Sequence, residues 1–157
     1  MIQTLQDFTS SLPEMLQWVG VMLAAAIPFI ESYFGSVLGV LAGVNPAIAI
    51  AAAIVGNVLS MLVFVLSAHG MRSGIVRGKA TRELSPRRER LREKFDKYGV
   101  AGVSLLGQAI LPSQITSAAM VSFGASKNVV IFWQIISIIL WGVAFGVLAT
   151  LGVSLVR

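Results

Sequence analysis

Two uninterrupted apolar runs, 47–68 and 129–156, are long enough to cross a bilayer, which takes about 20 apolar residues in a helix. Other apolar stretches are too short to cross comfortably: Met15–Ile30, Tyr33–Val44 ("YFGSVLGVLAGV") and Tyr98–Leu111 ("YGVAGVSLLGQAIL"), with a mixed stretch from Ser113 to Ser126. They come in pairs. Pro28 and Glu31 interrupt the first pair, and Pro112 separates the second. Hydrocarbon admits only chains whose backbone polar groups are paired internally, so the pattern reads as an all-α integral membrane protein. Composition agrees, with 56% hydrophobic residues, 12% charged ones and a mean hydropathy of +0.84.

A chain of 157 residues then accommodates one membrane domain and no separate soluble catalytic domain. Cysteine is absent and His69 is the sole histidine, which excludes a disulfide framework, a thiolate zinc site, a cysteine nucleophile and a histidine metal cluster. No metal and no cofactor is expected. No secretory signal is expected either, since Met1–Pro13 carries no Lys or Arg and no small-residue cleavage pattern follows a short apolar core.

Charge is distributed unevenly. Met1–Met71 contains no Lys or Arg, whereas Arg72–Lys97 contains ten, against four acids. Short positively charged segments stay on the cytoplasmic side, so the block reads as a cytoplasmic segment beside anionic lipid and not as a nucleic-acid site. Within it, Ser85 followed by Pro86 predicts an N-cap and a first helical residue, opening a charged helix that ends near Lys97.

The expected organisation is an interfacial segment at 1–13, a re-entrant hairpin at 14–45, a transmembrane helix at 46–69, a basic cytoplasmic loop and helix at 70–97, a second re-entrant hairpin at 98–127 and a transmembrane helix at 128–156. With 70–97 in the cytoplasm, the first hairpin enters from outside and the second from inside. The fold expected is therefore an inverted repeat of two units, each a hairpin followed by a spanning helix. Such folds place broken helices near the midplane, where backbone polar groups can face a substrate or ion. A bundle of tilted helices kinked at Pro28 and Pro112 is the alternative.

Glu31 is the only acid between Glu14 and Glu83. At membrane depth a carboxylate costs about 2.5 to 3.5 kcal/mol on insertion scales, so it is expected to be protonated, paired or wet. The functional reading is a coupling site for H+ or Na+, or a contact to a cationic substrate. An acid at the outer interface is the other reading. Gln108, Ser113, Gln114, Thr116 and Ser117 surround Pro112, and Asn57 follows Gly56 inside a long run. These neutral groups either line a binding site or hydrogen-bond one helix to another. Gly35, Gly39 and Gly43 form a GxxxGxxxG ridge, and Gly142 with Gly146 a second pair, at a spacing that lets helices, or two copies of the chain, approach closely. No paired acids, HExxH or phosphate loop is present, so no enzyme is expected.

"AIPFIE" (Ala26–Glu31), "GN" (Gly56–Asn57), "KYGVAGV" (Lys97–Val103) and "AILPSQ" (Ala109–Gln114) together resemble the small multidrug export family, itself related in architecture to the DedA (VTT-domain) superfamily. The likeness covers about Ile27 to Gly146. It implies opposed re-entrant hairpins, membrane transport and, for the DedA-like relatives, lipid carriers such as undecaprenyl phosphate. Departures are specific. Where the family continues from its IPxxE element into Leu-Arg-Gly, this chain has Ser32, Tyr33 and Phe34, and its second tip is "LPSQITS" in place of a PxPGTG-like turn. Where DedA proteins carry arginines, it has Ala109 and Ile115, which puts phosphate recognition in doubt.

The expected function is thus a small secondary transporter in a bacterial inner membrane. It would move an amphipathic substrate, either a polyprenyl-phosphate-type lipid carrier or a lipophilic drug, with Glu31 coupling. A non-transporting scaffold or assembly factor is the alternative, and homodimerisation is left open.

Overall fold

The computed structural model describes residues 2–75 and 86–156. Among them there is no strand. The order is α1 (Ile2–Ser11), a 3-10 turn (Glu14–Leu16), α2 (Gln17–Ala25), α3 (Glu31–Leu41), α4 (Pro46–Ile75), α5 (Pro86–Gly107), α6 (Ser113–Phe123) and α7 (Lys127–Val156). The basic segment falls partly within 76–85, so the N-cap reading at Ser85 lies outside the described residues. Pro86 does open α5.

Two helices are long and apolar enough to cross a membrane, Pro46–Met71 and Lys127–Leu155. At 26 and 29 residues they measure about 39 and 43 Å at about 1.5 Å per residue. The first does not stop at His69, where the apolar run ends, but continues to Ile75. Nothing at His69–Gly70 breaks a helix: Gly70 has open space around it, and an interior glycine costs only about 1 kcal/mol.

The chain divides into two compact units, residues 1–60 with 138–157, and residues 61–137. In the first, α1, α2 and α3 pack on one another. α2 ends where Pro28, which lacks an N–H and disfavours helical geometry at Ile27, enters the chain. Its core is built from small side chains, Val21, Ala25, Val40, Val44, Ala49, Ala52 and Ala53. Glycines bring the helices close. A Cβ on Gly35 would sit 2.6 Å from the Ala25 Cβ, one on Gly39 would sit 2.7 Å from the Ala49 Cβ, and one on Gly56 would collide with the Met22 carbonyl oxygen.

Gly43 does not extend this ridge. Its surroundings are open and its φ is +88°; the Gly43 N–H donates to Val40 O at 3.1 Å and the Val44 N–H to Gly39 O at 3.0 Å. That pair of bonds is the Schellman ending, which puts glycine in the left-handed region just past a helix. The four-residue spacing of the three glycines conceals two different jobs. Asn45 then caps α4 by accepting from the Ala47 N–H at 3.0 Å.

The second unit follows a similar local plan. α5 packs on α6. The charged helix expected to end near Lys97 breaks at Gly99, whose φ of 67° and ψ of −175° are not helical, and an apolar helix continues to Gly107. Phe95, before the break, lies 6.3 Å from Phe123 at the end of α6. α6 has 11 residues, as α3 does; α4 and α7, of 30 residues each, are both divided between the two units. α6 also ends on a left-handed glycine, Gly124, with the Gly124 N–H donating to Val121 O and the Ala125 N–H to Met120 O.

Many large apolar side chains are exposed, and many small or polar ones are buried beside Met61, Met120 and Ile138. Leu59, Val63, Leu66, Phe132, Leu140, Leu148 and Leu151 are exposed, while Ser32, Asn57, Ser104, Gln114 and Gln134 are fully buried.

Candidate functional site

Glu31 is completely buried. It opens α3 at a turn whose bonds are the Ile30 N–H to Ile27 O at 3.1 Å and the Glu31 N–H to the same oxygen at 3.3 Å. Two non-glycine residues of this turn have positive φ, Phe29 at 76° and Glu31 at 55°. Left-handed conformations of this kind cost on the order of 1–3 kcal/mol each and persist where the surroundings enforce them. The effect is to turn the Glu31 side chain inward and leave Phe29, 60% exposed, outward. Pro28, expected at the tip, lies in this turn.

Elements far apart in sequence hold the acid's end of α3. Ser32 Oγ donates to Ile138 O at 2.8 Å and Ser36 Oγ to Ser32 O at 2.6 Å, both buried. Gly142 and Gly146 of α7 make room for this face: a Cβ on Gly142 would meet Ile54 at 3.0 Å and Ser32 at 3.1 Å, and one on Gly146 would strike Ile50. Tyr33 packs on Phe34 at 4.8 Å and on Phe145 at 5.6 Å, and Trp141 on Phe145 at 5.8 Å. Asn57 is buried in the same unit, one residue beyond the Gly56 contact with α2.

The residues around Pro112 belong to the second unit. Pro112 sits at the N-terminal cap of α6 with φ −54° and ψ 142°, extended values that proline adopts readily. Ser113, Gln114, Thr116 and Ser117 are fully buried and Gln108 is 4% exposed. Ser117 Oγ donates to Ser113 O, and Ser113 Oγ lies 3.4 Å from Gln114 Oε1. Thr116 Oγ1 reaches Leu111 O only at 3.5 Å.

Three participants escape a reading based on the prolines alone. Ser137 Oγ lies 2.7 Å from Ser104 O and 2.8 Å from Gln108 Oε1, joining α7 to α5. Gln134, one turn earlier on α7, is fully buried, and neither end of its amide has a hydrogen-bond partner among the described residues. The same holds for Ser104 Oγ and for Gln108 Nε2. Leaving such groups dry costs about 1–3 kcal/mol apiece. The sequence signal was an amide and a hydroxyl three residues apart in an otherwise apolar run, a spacing that puts both on one helix face.

The two units correspond in these contacts. Gly56 and Ser137 are separated by the same interval as the two capping glycines, and Met22 and Ser104 by the same interval as Glu31 and Ser113. In one unit Gly56 abuts the carbonyl of Met22; in the other Ser137 hydrogen-bonds the carbonyl of Ser104. Glu31 and Asn57 thus belong to one unit, and Gln108, Ser113, Gln114 and Thr116 to the other.

No protein-family model matches the chain, and no curated protein and no solved structure matches it.

Proposed function

We propose that the chain is a multi-pass membrane protein of two inverted units, working as a small secondary transporter in which Glu31 is the coupling group. The observation that carries this reading is the complete burial of Glu31 on a turn that two non-glycine residues hold in left-handed conformations. A carboxylate in such a place is expensive and, in membrane proteins, marks ion and substrate paths. The inside-out distribution of side chains supports the membrane setting, since lipid accepts exposed Leu, Val and Phe while helix contacts favour Gly, Ala and Ser. The matching lengths of α3 and α6 and of α4 and α7, and the glycines that end α3 and α6, support the repeat, and the positive-inside rule supports opposite orientations, with 70–97 cytoplasmic in a bacterial inner membrane and against anionic lipid.

The substrate in this reading is amphipathic, either a lipophilic drug or a polyprenyl-phosphate-type carrier, moved across the membrane with H+ or Na+ coupling. The likeness to small multidrug export and DedA-like proteins points the same way. The test is flux into proteoliposomes after a pH jump, using a lipophilic cationic dye and a fluorescent polyprenyl phosphate. Wild type should carry one of them in a gradient-dependent manner and Glu31→Gln should lose the gradient dependence. Unchanged coupling in Glu31→Gln removes the role given to this acid. Absence of flux in both proteins favours a non-transporting scaffold.

A further inference from the structure

The second unit carries hydrogen-bonding capacity that its own side chains do not use. Ser104 lies in the last turn of α5 and Gln108 just past its end, Gln134 and Ser137 lie one turn apart on α7, and Ser137 Oγ touches both of the former, Ser104 O at 2.7 Å and Gln108 Oε1 at 2.8 Å. Ser137 has one hydroxyl proton and cannot donate to both. If the carbonyl of Ser104 takes it, the Gln108 amide satisfies its contact by turning its NH2 towards Ser137 Oγ, which frees the amide oxygen. In either orientation one end of the Gln108 amide is left over. To it are added Ser104 Oγ and both ends of the Gln134 amide, all without partners among the described residues and all at least nine-tenths buried.

The chemistry of this set is mixed and uncharged. It offers N–H and O–H donors together with amide and hydroxyl acceptors, and all buried polar side chains described in the unit are hydroxyls or amides. A phosphate or an ammonium group brought here would lose its hydration without meeting a counter-charge among those side chains. A hydroxyl both donates and accepts, carries no charge, and matches what is on offer. Water meets the same description when the site is otherwise empty. We infer that Ser104, Gln108, Gln134 and Ser137 form a binding site for an uncharged, hydroxyl-bearing headgroup, of the glycerol or sugar type, on an amphipathic molecule. The inference rests on the transporter reading only for its assumption that the ligand is amphipathic, and it adds a neutral polyol headgroup to the phosphate and the cation of that reading as a substrate class.

The experiment is thermal unfolding of the full chain in lauryldimethylamine oxide, whose headgroup carries no hydroxyl, with three probes of twelve-carbon chain: monolauroylglycerol, dodecyl phosphate and dodecyltrimethylammonium. Monolauroylglycerol is expected to raise Tm, and the rise is expected to vanish in Gln134→Leu and in Ser104→Ala. Removing the unpartnered amide should leave the Tm of Gln134→Leu without probe at or above the wild-type value, which separates lost binding from lost folding. Ser104→Ala, which deletes a single oxygen, serves where the leucine variant does not fold. The inference is overturned if the neutral lipid produces no shift, if its shift is unchanged in the variants, or if the phosphate or ammonium probe produces a larger shift that the variants abolish. Binding is read here without flux, so an intact shift in a protein that moves nothing defeats the transporter reading alone, while flux without any shift defeats this one alone.

Discussion

The turn before α3 and the turn before α6 occupy matching places in their units and solve the same problem differently. The second uses a proline in an extended conformation at the helix cap, a geometry proline favours, and places a neutral Ser113 at the first helical position. The first puts its proline inside the turn, forces Phe29 and Glu31 into left-handed backbone, and buries a carboxylate. One unit therefore combines backbone strain with a buried carboxyl group, whereas in the other the buried polar side chains described are amides and hydroxyls. The difference teaches that two turns in matching places need not share a chemistry: the costly backbone is concentrated where the carboxyl group is buried.

The comparison breaks first at the helix contacts. Gly56→Leu should be the most damaging change, because its side chain must displace the backbone carbonyl of Met22; overpacking costs typically 1–3 kcal/mol and more against backbone. Loss of folded protein in detergent, or a steep drop in Tm, checks it, while Gly70→Ala, in open space, should be neutral or stabilising by about 0.5–1 kcal/mol. Next come the bonds between helices. Ser137→Ala in the second unit and Ser32→Ala in the first each remove a buried hydroxyl that donates to a carbonyl, and each should lower unfolding free energy by about 1–3 kcal/mol. Unequal losses would show that one unit relies more on polar contacts.

The capping glycines should behave alike. Gly43→Ala and Gly124→Ala both place a Cβ at positive φ, +88° and +117°, and each should destabilise by about 1–2 kcal/mol. A large disparity between them would undo the correspondence of the units. The smallest effect has the opposite sign. Phe29→Gly relieves a left-handed phenylalanine that is mostly exposed, and should stabilise by about 1 kcal/mol. Ile110→Gly, in the other turn, has no such strain to relieve and should not stabilise. Chemical unfolding in detergent distinguishes the two, and equal outcomes would remove strain as a distinguishing mark of the Glu31 turn.

Much of the helical layout was legible in the sequence because its causes are local. The long runs, the break at Pro28, the starts at Pro86 and after Pro112 and the change of character near Tyr98 all depend on residues within a turn or two; that α5 ends at Gly107, short of the expected stop at Pro112, was not legible. The continuation of α4 beyond His69 was missed because hydropathy falls there while helix propensity does not. Positive φ at Phe29 and Glu31 had no signal at all, since neither is the Gly or Asn that usually announces it. Gly43 was grouped with Gly35 and Gly39 because an interval of four describes both a packing ridge and a helix end, and only the open space around it tells them apart.

Glu31, Asn57, Gln108, Ser113, Gln114 and Thr116 stood out as candidates by being polar in apolar surroundings, and all are buried. Gln134 and Ser137 satisfied the same criterion inside the longest run, but without a proline nearby nothing separated them from residues facing outward. The sequence by itself determined an all-helical chain of short paired helices and two long ones, because hydrogen bonding along a helix, proline and glycine act within a few residues. Tertiary structure alone decided which polar groups are enclosed and what they meet. Ser32 finds its acceptor on Ile138, 106 residues away, and no local pattern encodes a partner supplied by another helix.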